Sequence, residues 1–200
     1  MKFFSLLLLL VINNCFADAF CSLRDPVSQI NTLYPDHESY LSFVKKIDNK
    51  TRKTVQENLP NNDLHFGELG QHTLYVVIEN QQVIGYVHVR SEQSDWGLVE
   101  IVWAIDVNFN IVDFTFQRCR SPEKLELAKT DFKQAITGRG FEELKQYLAK
   151  DGISANQSLF SQINTNSNLV NVVLRCALKT LLLTKVVWQD ELKKLVQQKP

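Results

Sequence analysis

Thr73-Leu-Tyr-Val-Val-Ile-Glu79, Val83-Ile-Gly-Tyr-Val-His-Val-Arg90, Leu98-Val-Glu-Ile-Val-Trp-Ala-Ile-Asp-Val107 and Ile111-Val-Asp-Phe-Thr-Phe-Gln117 are four runs of β-branched and aromatic residues that follow one another closely. Side chains of this kind fit the pleated, half-buried surface of a sheet, so each run predicts a strand. Only Asn80-Gln81-Gln82 and Asn108-Phe109-Asn110 separate the first pair and the last pair, and links that short make antiparallel neighbours. In the third run Val99, Ile101, Trp103, Ile105 and Val107 share a face, and in the fourth Val112, Phe114 and Phe116 do. Those faces need cover.

The flanking sequence supplies it. Downstream, Glu123 to Ala135, Phe141 to Lys150 with a stop at Asp151-Gly152, and the long apolar stretch Leu169 to Trp188 read as helices. Arg175, Lys179 and Lys185 make the last of these a buried core helix and a poor membrane span. Upstream, Asp25-Pro26 has the form of a helix start, and Val27, Ile30 and Leu33 carry it to Tyr34-Pro35. Alternation from Tyr40 to Ile47 predicts a fifth strand, Asn49 to Leu59 a polar helix ending before Pro60, and Asn61 to Gln71, with Gly67 and Gly70, a loop. The expected fold class is α+β, an antiparallel sheet of four to five strands packed against helices, in a single domain over 20–188 with a polar, frayed tail over 189–200.

The N-terminus is read separately. Lys2, the apolar run Phe3 to Ile12 and the small-residue pattern Ala17-Asp18-Ala19 form a signal peptide over 1–19, cleaved after Ala19. Lipid attachment at Cys15 or Cys21 is the competing reading, but neither cysteine follows the small residue such processing expects. The expected chain is exported, periplasmic or secreted, with no permanent membrane span after signal cleavage, since the apolar run falls well short of the ~20 residues a bilayer needs. Lys+Arg and Asp+Glu balance at 22 each, which argues against a nucleic-acid partner. Export leaves Cys21, Cys119 and Cys176. Cys176 sits in an apolar helical pattern, which points to a Cys21–Cys119 disulfide with Cys176 free; two free thiols are the alternative.

Candidate chemistry is sparse. His65, Glu68 and His72 are the one metal-like grouping, but Gly67 and Gly70 break the helix that would align them, so no metal site is expected. His88 alternates with Val87 and Val89 and is expected to be a half-exposed structural histidine. The basic run Lys45, Lys46, Lys50, Arg52, Lys53 reads as a solvated face or as a surface steering an anionic partner. Arg118, Arg120 and Ser121 at a strand exit could hold a phosphate or carboxylate, or could be plain surface charge. The polar segment Ser158 to Asn168 precedes the long helix, where Ser and Asn serve as caps or leave backbone N–H groups for an anion.

These two places carry a resemblance. Gly85-Tyr-Val-His88, and Val99 through Asp106 and Ile111 to Phe116, resemble the central hairpin of the FMN-binding domain of exported flavin subunits in sodium-pumping quinone reductase and Rnf complexes. That family follows its strand with a His-x-Glu-Thr-Pro-like segment, and here Arg118-Cys-Arg-Ser-Pro122 stands in its place, with the hydroxyl and proline kept and arginine for the acid. Its Ser/Thr-Gly-Ala-Thr flavinylation motif corresponds to Ser161-Gln-Ile-Asn164 followed by Thr165. The resemblance implies a site formed by Arg118, Arg120, Ser121, Ser161, Asn164, Thr165 and Ser167. It implies FMN held without a covalent bond for electron transfer with a redox or membrane-complex partner, or a descendant that has lost the flavin. The alternative is a non-enzymatic exported interaction protein.

Overall fold

The computed structural model describes residues 25–163 and 167–197. Over them the chain runs α1 (Val27–Leu33), β1 (Ser39–Ile47), α2 (Asn49–Asn58), a single 3-10 turn (Phe66–Glu68), β2 (Gly70–Glu79), β3 (Gln82–Ser94), β4 (Gly97–Asp106), β5 (Ile111–Arg118), α3 (Lys124–Leu127), α4 (Thr130–Ile136), α5 (Phe141–Lys145), α6 (Gln157–Phe160), α7 (Asn168–Val187) and α8 (Gln189–Gln197). The signal-peptide reading and Cys21 lie outside the described residues, as do Asn164 and Thr165. The strands form one antiparallel meander in the order β1-β2-β3-β4-β5, so the fold is α+β with a five-stranded sheet. Asn80 and Gln81 both take positive φ, 49° and 61°, which matches the right-handed twist of a two-residue hairpin and explains the close coupling of β2 to β3.

The two faces of the sheet are covered unequally. α7 crosses one face, and its Val170, Leu174, Leu178 and Leu181 pack with Val99, Ile101, Trp103 and Ile105 of β4 and with Phe114 of β5. Each such side chain contributes ~1.5–3 kcal/mol by leaving water, so this one helix carries much of the core. On the opposite face α1 places Ile30 and Tyr34 over Val77, Val87, Val102 and Ala104. Tyr34 donates its hydroxyl to the Ile105 carbonyl at 2.8 Å, directly over Gly85. A Cβ at Gly85 would lie 2.3 Å from the Tyr34 hydroxyl and 2.6 Å from the Ile105 oxygen, which reserves the position for glycine.

Several local readings change. Val107 falls beyond β4 and is 40% exposed, and Val112 is 37% exposed although Ile111 and Phe114 beside it are buried. A register shift opposite Ala104 and Ile105 is responsible: the extra residue turns Val112 outward and returns Phe114 to the core. The helix expected over 123–135 is interrupted, because Lys129 is extended (φ −77°, ψ 169°) and divides α3 from α4. After α5 the chain leaves helix, and Leu148 pairs as an isolated bridge with Ala155. Residues 189–197, read as a frayed tail, form α8, docked by buried Leu192 and by a 2.7 Å ion pair from Lys45 to Glu191. His88 is fully buried rather than half-exposed.

Candidate functional site

The strand exit after β5 and the start of α7 do meet. Ser167 is the N-cap of α7, where its hydroxyl oxygen accepts the Leu169 N–H at 3.0 Å. The same hydroxyl donates to Glu123 Oε2, which also accepts from the Ser121 hydroxyl at 3.4 Å. Ser121 in turn accepts the Glu123 N–H at 3.3 Å, closing a small clasp in which both serines are buried. A second acid joins from the β3–β4 turn, as Asp95 Oδ2 accepts the Asn168 side-chain amide at 2.5 Å. Two carboxylates thus already stand at the positive end of the α7 dipole, a placement worth ~0.3–1 kcal/mol each, and both are held there by side-chain donors.

The other residues expected there are placed differently. Arg118 and Arg120 are exposed and take no part in the clasp, and the exposed Ser161 donates its hydroxyl to the Ser158 carbonyl at 3.0 Å. Of the described candidates, then, Ser121 and Ser167 are brought together, and what joins them is the chain's own Glu123.

A row of buried polar groups, not foreseen from the sequence, lies under the middle of α7. Along β3 the side chains of His88, Arg90 and Glu92 face this helix, which runs in the opposite direction. Arg90 Nη2 binds Glu68 Oε1 at 2.5 Å, Lys179 Nζ reaches Glu68 Oε2 at 3.4 Å and Glu92 Oε2 at 3.0 Å, and Arg175 Nε lies 3.9 Å from Glu92. Glu68 Oε2 also accepts the His65 N–H at 2.7 Å, so Glu68, with neighbours on either side of the sequence, is consumed by cations and a turn. Among the described residues no three His, Cys, Asp or Glu side chains gather as a metal site.

The histidines in this row are neutral. Thr184 donates its hydroxyl to the Thr180 carbonyl at 2.8 Å, so its oxygen can only accept from His88 Nδ1, also at 2.8 Å. That assigns the proton to Nδ1 and leaves Nε2 bare, without a partner among the described residues. Burial above all, then the Arg90 charge, holds His88 well below the ordinary histidine range. The same two causes bring His72 down to about 4, its Nε2 lying 2.9 Å from the Glu68 carbonyl. Cys176 is sealed beneath Trp103, with burial pushing its thiol up to about 12, and no disulfide joins two described residues.

Open space lies at the far end of α7. A cleft of about 440 Å³ runs between the β4–β5 hairpin, the start of α5 and the last turns of α7, with Phe109, Phe141, Leu182 and Val186 among its walls. A second cleft of about 320 Å³ shares Phe109, Lys185 and Gln189 with it and adds Tyr86, Leu192 and Lys193. The hairpin tip is braced by Asp106, whose Oδ1 accepts the N–H groups of Asn108 and Asn110, each at 2.8 Å. Phe109 is thereby held at φ 64°, unusual for a bulky residue, with its ring stacked on Tyr86 at 5.6 Å.

The class defined by these observations is an α+β domain with a closed clasp at one end of its core helix and an apolar, lysine-edged groove at the other. No family model, no curated protein and no solved structure matches the chain. Among the described residues no helix is long and apolar enough to cross a membrane.

Proposed function

We propose that the chain is an exported, non-catalytic binding module: an FMN-binding-like domain that has given up the flavin and meets a ligand through its groove. The observation that carries this reading is the Glu123 carboxylate, which takes hydrogen bonds from both Ser121 and Ser167 where the resemblance would seat a phosphate. A dianionic group entering beside it would face like charge from Glu123 and from Asp95, at a helix start whose cap is already made. Support also comes from what the groove presents. Its ammonium groups, carboxamides and aromatic rings hold ligands by charge and contact, whereas the buried imidazoles of His72 and His88 lie in the row beneath α7 and line neither cleft.

The test is the colour of the purified protein. It is expected to lack the visible flavin bands and to release no FMN on denaturation. A yellow protein that yields FMN overturns the proposal, as does added FMN that binds the colourless protein with an affinity lost in Ser167→Ala and kept in Lys185→Gln/Lys193→Gln.

A further inference from the structure

The two clefts that meet at Phe109 form one groove with an uneven charge pattern. Its floor is apolar: Phe109, Leu182, Val186 and Leu192 present hydrocarbon, and the Tyr86 ring backs Phe109. Lys185 stands on the wall common to both clefts, and Lys193 on the wall of the second. Both lysines are exposed, and neither has an ion pair or hydrogen bond among the described residues, whereas Lys45, Lys133 and Lys179 are all paired with carboxylates. The Tyr86 side chain is nearly fully buried in the second cleft and its hydroxyl likewise has no partner among the described residues.

Three donors without acceptors around an apolar floor specify what would complete them. We propose that the groove binds a small amphipathic anion, a lipophilic carboxylate whose flat or aliphatic body lies against Phe109 and Leu182 and whose carboxylate meets Lys185, Lys193 and the Tyr86 hydroxyl. The volumes, about 440 and 320 Å³, fall in the range of small-molecule sites, as does an apolar lining with a few convergent polar groups. Phe109 is the positioning element, because the Asp106 brace fixes its backbone in a conformation that the hairpin would otherwise avoid. Glu142 and Glu143 lie only in the first cleft, so the charge runs from negative at the α5 end to positive at the α8 end. An anionic head is therefore directed toward Lys193. This inference rests on the groove being the ligand-facing surface, as in the binding-module reading, but not on the loss of flavin.

The experiment uses anilinonaphthalene sulfonate, an aromatic anion that fluoresces in apolar surroundings, titrated into the purified processed protein. Saturable binding of one probe per chain is expected, weakened about tenfold or more in Lys185→Gln/Lys193→Gln because two charge-assisted contacts are lost. Both lysines are exposed, so that variant keeps the wild-type unfolding midpoint. Phe109→Gly, which suits a positive φ, is expected to weaken binding as well. Dodecanoate displaces the probe, while the dodecyltrimethylammonium cation, with the same tail and opposite charge, does not. Probe binding that is absent, unchanged in the lysine variant, or displaced equally by cation and anion overturns the inference. A colourless protein that fails this titration sinks the ligand assignment alone, and a yellow protein that passes it sinks only the flavin-less reading.

Discussion

Mild acid is expected to loosen this protein. In the native state burial and the Arg90 charge hold His72 at about 4, against 6.5 for a free histidine. The unfolded chain therefore takes up a proton at this site as pH falls through 6.5, and the folded chain does so only near 4. The stabilisation is complete above the unfolded value, erodes across the window between the two, and is gone below it. At about 1.36 kcal/mol per pH unit the full difference is worth roughly 3 kcal/mol, and lowering the pH from about 7.5 to about 5 removes about 2 kcal/mol of it. His88 is shifted in the same direction and adds to the loss. Urea unfolding followed by tryptophan fluorescence at both pH values measures the effect. His72→Gln lowers stability at the higher pH but removes the titrating group, so its loss between the two pH values is about 2 kcal/mol smaller than in the wild type. Equal losses in the two proteins would refute the assignment of a depressed, neutral His72.

Two further outcomes follow from buried groups. Lys179→Met takes away the cation shared by Glu68 and Glu92 in a site whose side chains are at most 10% exposed, and is expected to cost about 3–5 kcal/mol in urea unfolding, with part regained when Glu92→Gln is added. A cost below about 1 kcal/mol would mean that Arg90 and Arg175 alone satisfy both acids. For the cysteines, the Cys21–Cys119 proposal predicts that alkylation of the processed, unfolded and unreduced protein modifies Cys176 alone, and that reduction first raises the count to three. Cys176 should resist the reagent while folded, since its thiol is buried and pushed up to about 12.

The sheet was legible because its signal is local. Runs such as Leu98 to Ile105 are almost continuously apolar and β-branched, as a strand covered on both faces must be, and the Asn80-Gln81 turn is short enough to dictate pairing by itself. The core helix was legible for the same reason, from Ser167 as cap to the apolar run that ends at Trp188. Contacts made at long range left little trace. Glu68 meets Lys179 from 111 residues away and Ser167 meets Glu123 from 44, so neither pairing has a spacing to read. The visible hint was the alternation of His88, Arg90 and Glu92 with Val87 and Val89, which reads as a solvated face until the polar residues of α7 are placed over it. The outward turn of Val112 was hidden too, since a bulge leaves Ile111 and Phe114 both facing the core, which strict alternation does not predict. For the candidate site, sequence found both ends of the clasp but not that Glu123 would close it.

The ionic row beneath α7 has a consequence for how that helix finds its seat. Valine and leucine are nearly interchangeable along its length, so a slide of one turn, about 5.4 Å, would leave much of the aliphatic contact in place. The same slide would carry Lys179 off Glu68 and Glu92 and part Thr184 from His88. Glu68 would keep Arg90 through such a slide, but Glu68 and Glu92 would lose the ammonium that bridges them in a buried site. The row thus works as a detent: greasy contact gives the helix its grip, and the charged pegs choose the one notch in which it stops.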